Sequence, residues 1–170
     1  MKPALYRGIV LATLVFGLAA INTSVWQREA LLRDGQSVLL ELAPVDPRSL
    51  MQGDYMALRF ALARSLQGMP GATDVRGGDG YVVVKRDARN VATFARIYRD
   101  GEALAADESR IRYRQRKNDV RIVTNAWFFE EGSGGIYAAA RYGELRVGDD
   151  GEALLTGMRD KDLHVLGAKE

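Results

Sequence analysis

The segment from Gly8 to Trp26 limits more than any other feature what this chain can fold into, because about 19 successive residues carry no charge. At about 1.5 Å of rise per residue, a helix of this length crosses a hydrocarbon core of about 30 Å. Trp26 at the far end suits the membrane–water interface, where an indole ring is half hydrated. Residues 8–26 therefore predict an uncleaved transmembrane helix. The alternative is a cleaved signal peptide, but Leu18-Ala19-Ala20 runs on without a small-x-small cleavage site.

The charges that flank this segment predict its orientation. Lys2, Arg7 and the α-amine are expected to keep residues 1–7 in the cytoplasm, because the charges that follow Trp26 cancel one another. Residues 27–35 are largely good helix formers and should extend the helix as a short stalk, which Gly35 ends in the left-handed C′ conformation. Residues 36–170 are then expected to form one domain outside the cytoplasm.

The composition excludes several kinds of chemistry. The 170 residues include no cysteine, which rules out disulfides, thiolate zinc sites and cysteine nucleophiles. The single histidine, His164, leaves almost no material for a Ser-His-Asp triad or a multi-histidine metal site. A net charge of +2 creates no strong field that would attract nucleic acid. We therefore expect no metal, no cofactor and no nucleic-acid partner, whereas the sequence leaves open whether a small molecule binds.

From residue 36 the hydrophobic pattern changes to short alternating stretches, which are typical of an α+β, mainly β domain. We expect one antiparallel domain, barrel- or sandwich-like, with one short helix. The predicted strands are residues 38–42, 55–63, 81–85, 91–98, 111–113, 120–129, 144–147 and 153–156, with turns at 87–90, 117–119 and 149–151, a glycine-rich loop at 66–80 and a helix at 136–142.

The stretch between the first two strands combines turn formers with an alternating pattern. Pro47 is expected to start a tight turn, and Gly53-Asp54 to restart the chain as a strand. One face of that strand is uniformly apolar and should point to the core. Its members are Met56, Leu58, Phe60 and Leu62, whereas Tyr55 starts the opposite face. We therefore expect Gly53-Asp54 to be a structural hinge that sets the strand register, and not the site of a catalytic carboxylate.

Four arginines alternate along the strand that precedes the turn at 117–119. They are Arg110, Arg112, Arg114 and Arg116, and a strand places all four on one face. Such a basic row suits anionic lipid headgroups or an acidic partner. The alternative is a solvated outer face whose arginines pair with carboxylates on neighbouring strands. Single-stranded nucleic acid is not expected, because Tyr113 lies on the opposite face and supplies no stacking platform beside the arginines.

A glycine-rich loop with two glutamates separates the last long strand from the predicted helix. This order resembles a phosphate cradle, but Tyr137 replaces the last glycine of the dinucleotide pattern and no Lys-Ser/Thr pair follows. Ser133 is expected instead to cap the helix. Polar residues near the loop are candidates for a binding surface: Glu130, Glu131, Arg141, Tyr142 and Glu144.

The glutamates among these candidates are the residues that could supply a pair of catalytic carboxylates, as in glycosidases. Glu130 and Glu131 cannot themselves form that pair, because adjacent residues of a strand point to opposite faces. The alternative is a structural role, in which one carboxylate is exposed and another pairs with Arg141 or with the arginine row. We expect no catalytic residue.

The residues from Gly53 to Phe60, GDYMALRF, resemble the motif G-D-Y-x-x-L-x-Y that names the bacterial GDYXXLXY family. The blocks LELAPVDPRSLMQ, FFEEG, ARYGELRV and GMRDKDL are similar to other parts of that family, so the resemblance covers almost the whole chain. Phe60 departs from the motif's final tyrosine. The resemblance implies a small protein of the bacterial cytoplasmic membrane, with a periplasmic or extracellular domain and no assigned activity. It also implies a polytopic membrane protein as partner, and hence an interaction or accessory function.

A second resemblance keeps an envelope hydrolase as the alternative. Leu50-Met51-Gln52-Gly53-Asp54 is similar to the L-x-x-G-D step of membrane-anchored signal peptidases. Those enzymes carry their serine in an S-M-x-P segment upstream. Here the corresponding residues 45–49 lack a Ser-Met pair, and Ser49 lies directly before Leu50. Lys85 is the candidate for a lysine base, but no sequence context supports it.

Overall fold

The computed structural model describes residues 3–43, 51–52, 55–67, 79–116 and 119–167, and the fold is given for those residues. The chain divides into two compact units, Met1–Asp34 and Gly35–Glu170. Within the described residues the first unit is one long helix, and the second carries the strands.

The first unit is helix α1, Pro3–Asp34, which runs for 32 residues. Its stretch Arg7–Asp34 is long and apolar enough by length and composition to cross a membrane, and its most apolar 18-residue window has a mean hydropathy of 1.9 and is 0% buried. The hydroxyls of Thr13 and Thr23 bond back to carbonyl oxygens four residues earlier, which satisfies them within the helix. The helix ends next to Gly35 as predicted, but Gly35 does not take the predicted left-handed conformation.

The described part of the second unit contains eleven strands and two short helices. The strands are β1 Gln36–Glu41, β2 Met51–Gln52, β3 Tyr55–Ala57, β4 Asp79–Arg86, β5 Val91–Ile97, β6 Glu108–Arg116, β7 Asp119–Ile122, β8 Ala126–Phe128, β9 Tyr142–Val147, β10 Ala153–Arg159 and β11 Val165–Leu166; the helices are α2 Ala61–Leu66 and α3 Gly134–Tyr137. The predicted α+β, mainly β class is confirmed, with two short helices in this unit instead of one.

Eight strands form a large sheet in the order β11-β10-β9-β1-β5-β4-β6-β7, and three form a small sheet in the order β2-β3-β8. The large sheet includes one parallel pair, because β1 runs beside β5 with Leu39 opposite Val91. The other described strand pairs of both sheets are antiparallel, so the predicted antiparallel domain is confirmed with this one parallel exception. The long connection through β2, β3, α2 and β4 supplies the crossover that a parallel pair needs.

The three predicted hairpins are confirmed, since β4–β5, β6–β7 and β9–β10 each pair antiparallel. Between β4 and β5, the Asp87 carboxylate accepts the backbone N–H groups of Arg89 and Val91. Between β9 and β10, Gly151 takes a φ of 85°, a conformation that glycine adopts without steric cost. Local residue preferences thus explain why these turns can be predicted from the sequence.

The predicted strand over residues 55–63 is wrong in its second half, because the chain enters α2 at Ala61. Alanine and leucine are strong helix formers, and a helix brings Leu62 and Leu66 to one side, where both are buried. The predicted loop at 66–80 also begins one residue too early and ends too late, since Leu66 lies in α2 and residue 79 starts β4.

The predicted core face of this segment is confirmed. Met56, Leu58, Phe60 and Leu62 are each at most 6% exposed. Phe60 and Leu62 belong to a large core that α2 shares with the eight-stranded sheet, whereas Met56 and Leu58 belong to a smaller core with residues of α3 and β10. The segment therefore contributes to both cores of the domain.

The predicted strand over residues 120–129 is divided between the two sheets. Strand β7 ends at Ile122, Val123 takes a φ of 57°, and β8 begins at Ala126 in the small sheet. The left-handed residue turns the chain away from its hairpin partner, which an apolar run alone does not reveal.

The predicted helix at 136–142 is shifted and too long. Helix α3 covers Gly134–Tyr137, and Tyr142 already begins β9 because it pairs with Glu41 of β1. Ser133 precedes α3 as predicted but makes no side-chain capping bond. The predictions for Pro47, Gly53, Asp54, the turn at 46–50, residues 68–78 and residues 117–118 lie outside the described residues.

The large sheet curls so that the turn between β9 and β10 approaches β6. Strand β7 pairs with β6 only from Tyr113 to Arg116. Beyond that point the backbone N–H of Arg112 donates to the Gly151 carbonyl at 2.9 Å, although β1, β5 and β4 lie between β9 and β6 in the sheet. The contact partly closes the sheet, as in an open barrel.

Candidate functional site

The outer face of β6 carries five charged side chains in alternate positions, which we call the β6 row. Its members are Glu108, Arg110, Arg112, Arg114 and Arg116, each half-buried or exposed, whereas Ser109, Ile111 and Tyr113 between them are buried. The four predicted arginines therefore share one face, and a glutamate that the sequence reasoning did not include begins the row.

Glu108 is held by Arg96 of β5. The Arg96 guanidinium donates to both Glu108 oxygens, and its Nε donates to Glu102. The N–H of Ala105 adds a further bond to Glu108. These hydrogen bonds, above all those from Arg96, lower the pKa of Glu108 to about 2.

Arg110 has neutral partners. Its Nε donates to the Asp149 carbonyl at 2.9 Å, and its guanidinium carbon lies 5.4 Å and 5.3 Å from the ring centroids of Tyr81 and Tyr98. These distances are within the range of cation–π attraction. Arg110 is thus held between two rings and a turn carbonyl.

Arg112 has two carboxylate partners. Its Nη1 lies 2.6 Å from Glu152 and its Nη2 lies 2.6 Å from Asp79. The hydrogen bonds that Arg112 donates, first to Glu152 and then to Asp79, raise the pKa of Arg112. Arg112 thus takes the alternative role expected for the row, that of pairing with carboxylates on neighbouring parts of the domain.

Arg114 and Arg116 differ from their neighbours, because the side chain of neither has an ion-pair or hydrogen-bond partner among the described residues. Arg114 lies directly opposite Arg121 of β7, and Arg116 lies opposite Asp119. Asp119 is already 2.8 Å from Arg121 Nε. The end of the row next to β7 therefore carries guanidinium charge that the described carboxylates do not fully neutralise.

An open cleft of about 210 Å³ lies beside this end of the row. It is lined by Arg112, Arg114, Arg121, Val123, Thr124, Asn125, Glu152 and Ala153. Sequence reasoning missed Arg121, because the predicted turn at 117–119 would pair Arg116 with Val120, whereas Arg116 pairs with Asp119 and Arg114 therefore with Arg121. It also missed Glu152, because the contact with β6 depends on the curl of the sheet.

The carboxylate candidates near the glycine-rich loop are not brought together. Glu144 accepts hydrogen bonds from Arg159 Nε at 2.9 Å and from Ser37 at 3.3 Å, so its partner is not Arg141 or the β6 row. Glu130 and Glu131 follow the end of β8 and are exposed in the turn before α3, so the strand geometry assumed for them is wrong. Of the other two candidates, Arg141 is exposed and Tyr142 is half-buried at the start of β9.

A group of possible metal ligands lies between β10 and β11. Asp160, Asp162 and His164 bring ligand atoms within 4.8 Å of one another. The Asp160 carboxylate already accepts the backbone N–H groups of Asp162 and His164 and contacts the His164 ring. These bonds shape the turn and account for the proximity of the three groups.

The segment that resembles a family motif is largely structural where it is described. Leu58 is 5% and Phe60 is 2% exposed, and the Leu58 N–H donates to the Asn125 carbonyl. Tyr55 lies in β3 with its ring 5.8 Å from Phe128 of β8, which is 73% exposed. The segment thus contributes to both cores, and its first described residue, Tyr55, forms an aromatic pair at the surface.

A family model described as GDYXXLXY protein matches residues 17–158, which is most of the chain. The chain belongs to the GDYXXLXY family. The predicted membership is therefore confirmed, and the family name describes a motif without stating an activity. No curated protein and no solved structure matches the chain significantly.

In this GDYXXLXY protein, Phe60 takes the place of the motif's final tyrosine. A Cβ added at Gly143 would lie 2.9 Å from the Phe60 ring, so the ring is packed against the backbone of β9. At this position the ring fills the core.

Proposed function

We propose that this GDYXXLXY protein is a single-pass protein of the bacterial cytoplasmic membrane, with its N-terminus in the cytoplasm and its β-rich domain in the periplasm or outside the cell. The carrying observation is that α1 is long and apolar while its most apolar window is 0% buried. An apolar helix surface of this length requires lipid or another membrane helix. The excess of positive charge at Lys2 and Arg7 supports the orientation.

The β-rich domain acts as an interaction or accessory module for a polytopic membrane protein. This part of the proposal is supported by the outer strand of the small sheet, β8, where Phe128 is 73% exposed beside Tyr55. An exposed aromatic ring next to unpaired strand edges is a feature of contact surfaces. Ile136 of α3, which is 49% exposed, adds apolar surface after β8 in the chain.

An envelope hydrolase has less support. A lysine that serves as a base must lose its proton near neutral pH, which requires burial away from carboxylates. The Lys85 side chain is instead 63% exposed and its Nζ lies 3.4 Å from Asp107. Ser49, the other residue in that comparison, lies outside the described residues.

Topology is tested with fusions at the C-terminus. An alkaline phosphatase fusion should be active, because that enzyme folds outside the cytoplasm, and the mature protein should keep its N-terminal residues. Activity only from a cytoplasmic reporter, or cleavage near Ala20, would contradict the proposed anchoring.

The accessory role is tested with a photo-crosslinking amino acid in the full chain in native membranes. Replacement of Phe128 should yield an adduct with a polytopic membrane protein, identified by mass spectrometry. The matched position is Thr93, which is exposed on β5 of the large sheet and should yield none. Equal labelling from both positions, or adducts with soluble proteins only, would contradict the proposed contact.

A further inference from the structure

Arg114 and Arg121 lie directly opposite each other across the β6–β7 pair. Residues in opposite positions of antiparallel strands share a face with Cβ atoms about 4.5–5.5 Å apart, and like charges there are destabilising. Asp79 lies opposite Arg114 on the β4 side, but its carboxylate is 2.6 Å from Arg112. Arg121 has one carboxylate partner, since its Nε lies 2.8 Å from Asp119. Among the described residues no carboxylate binds the Arg114 side chain, so the repulsion is only partly relieved.

The same two arginines line the cleft of about 210 Å³ together with Thr124 and Asn125. The exposed Asn125 carries an amide that can donate one more hydrogen bond. Glu152, the carboxylate in the lining, is already 2.6 Å from Arg112. The cleft thus combines cations with a neutral donor, while its own carboxylate is occupied.

We propose that this cleft binds the phosphate or phosphodiester group of a ligand between the guanidinium groups of Arg114 and Arg121. Each guanidinium is a planar fork of donors that matches two phosphate oxygens. A tetrahedral phosphate offers oxygens to two forks at once, whereas a single bidentate arginine already satisfies a carboxylate. The anion would replace a repulsive pair by two attractive ones.

A second cleft of similar size shows why volume alone does not select this site. That cleft, of about 230 Å³, is lined in part by Glu108, Arg110 and Asp149. Its arginine already binds the Asp149 carbonyl and two tyrosine rings, and Glu108 adds negative charge. It therefore lacks a guanidinium group without a described partner, which Arg114 supplies in the first cleft.

The backbone at the rim of the phosphate cleft supports a binding role. Val123 takes a φ of 57°, which is costly for a β-branched residue. The conformation is held by neighbouring bonds, since the Leu58 N–H donates to the Asn125 carbonyl and Thr124 bonds with Ala126. The strained residue places the next two side chains in the cleft lining.

The inference goes beyond the accessory role and does not depend on a protein partner. Its test uses the full chain in uncharged maltoside micelles, titrated with inorganic phosphate in a calorimeter. The wild type should bind phosphate saturably, and the double variant Arg114→Gln, Arg121→Gln should bind at least tenfold more weakly. The control double variant Arg59→Gln, Arg99→Gln removes the same charge from exposed positions outside the cleft and should bind within twofold of the wild type.

Thermal unfolding of the same variants separates binding from folding. Without phosphate, the cleft double variant should melt close to the wild-type temperature, because it relieves a like-charge pair and loses only the exposed Arg121–Asp119 ion pair. No saturable binding by the wild type, equal weakening in the control, or loss of the cooperative unfolding transition in the cleft double variant would overturn the proposal.

Nanodiscs distinguish the two sources of phosphate. Phosphatidylcholine and phosphatidylethanolamine present headgroup phosphates without net surface charge. If headgroups occupy the cleft, the affinity of the full chain for inorganic phosphate should fall at least tenfold in these nanodiscs relative to micelles. An unchanged affinity assigns the cleft to a soluble phosphate ligand.

Discussion

The two ends of the β6 row differ in whether their charged side chains have hydrogen-bond or ion-pair partners. At the first end, Glu108, Arg110 and Arg112 each have geometrically matched partners. At the other end, Arg114 and Arg116 have none among the described residues. Residues of one type in one repeating pattern therefore have different roles, and the neighbours that the fold brings to each position decide which.

The cause of the difference lies in what adjoins each half of the strand. The turn between β9 and β10 reaches the first half and supplies the Asp149 carbonyl and the Glu152 carboxylate. Strand β7 adjoins the second half and supplies Arg121 opposite Arg114. One half is thus built for stability, and the other is left with charge available to a ligand.

The largest expected effect comes from breaking the turn that holds the first half. Gly151 has a φ of 85°, and a Cβ there would lie 2.8 Å from the Tyr81 ring. Gly151→Ala should lower the free energy of unfolding by about 2–3 kcal/mol, from the left-handed backbone and the clash together. The measurement is urea unfolding of the full chain in neutral detergent, followed by tryptophan fluorescence.

Gly101 is the matched control for this substitution. Its φ is 83° and a Cβ there would meet no atom within 4 Å, so Gly101→Ala carries the backbone cost alone. We expect it to cost about 1–2 kcal/mol. Equal losses for the two variants would mean that contact between the turn and β4–β6 contributes nothing.

The next effect comes from removing the paired arginine. Arg112→Gln deletes the charge that bridges Asp79 and Glu152, and we expect the free energy of unfolding to fall by about 1 kcal/mol, since these partners are partly solvated. The loss should shrink in high salt, which screens such pairs. If Arg112→Gln leaves the free energy of unfolding unchanged in low salt, Arg112 contributes no more to stability than the unpaired Arg114 and Arg116.

A further effect appears only in acid. Because Arg96 lowers the pKa of Glu108 from 4.5 to about 2, the folded carboxylate stays ionised where the unfolded one takes up a proton. This contribution to stability is complete above about pH 4.5 and is lost as the pH falls towards 2. The urea midpoint should fall over that range, and less steeply in Glu108→Gln. Identical slopes for the two proteins would contradict the assigned pairing.

The smallest effect on stability is expected at the unpaired end. Arg114→Gln should leave the free energy of unfolding within about 0.5 kcal/mol of the wild type, because it breaks no described contact and removes a like charge opposite Arg121. The same unfolding experiment in detergent measures it. A loss as large as that of Arg112→Gln would erase the distinction between the two ends of the row.

Two similar turns show which local structure can be predicted from nearby residues and which cannot. Asp87 and Asp160 each accept the backbone N–H groups two and four residues later, and Asn90 and Leu163 take φ values of 63° and 69° in equivalent places. The first turn was predicted because strong strands flank it. The second was not, because β11 is two residues long and shows no alternation.

The sequence by itself determined the apolar helix, the faces of most strands, the three main hairpins and the burial of Met56, Leu58 and Phe60. These follow from composition and periodicity, which act within a few residues. In the candidate site, the sequence placed the four arginines on one face and did not distinguish among them.

Only the tertiary structure decided the partners. Arg112 meets Asp79 and Glu152, which lie 33 and 40 positions away in the chain, and Leu62 reaches the core from a helix instead of a strand. The parallel β1–β5 pair and the curl of the sheet are decided in the same way. The physical reason is that periodicity specifies which face a side chain occupies, whereas strand order and register depend on how the whole chain packs its apolar surface.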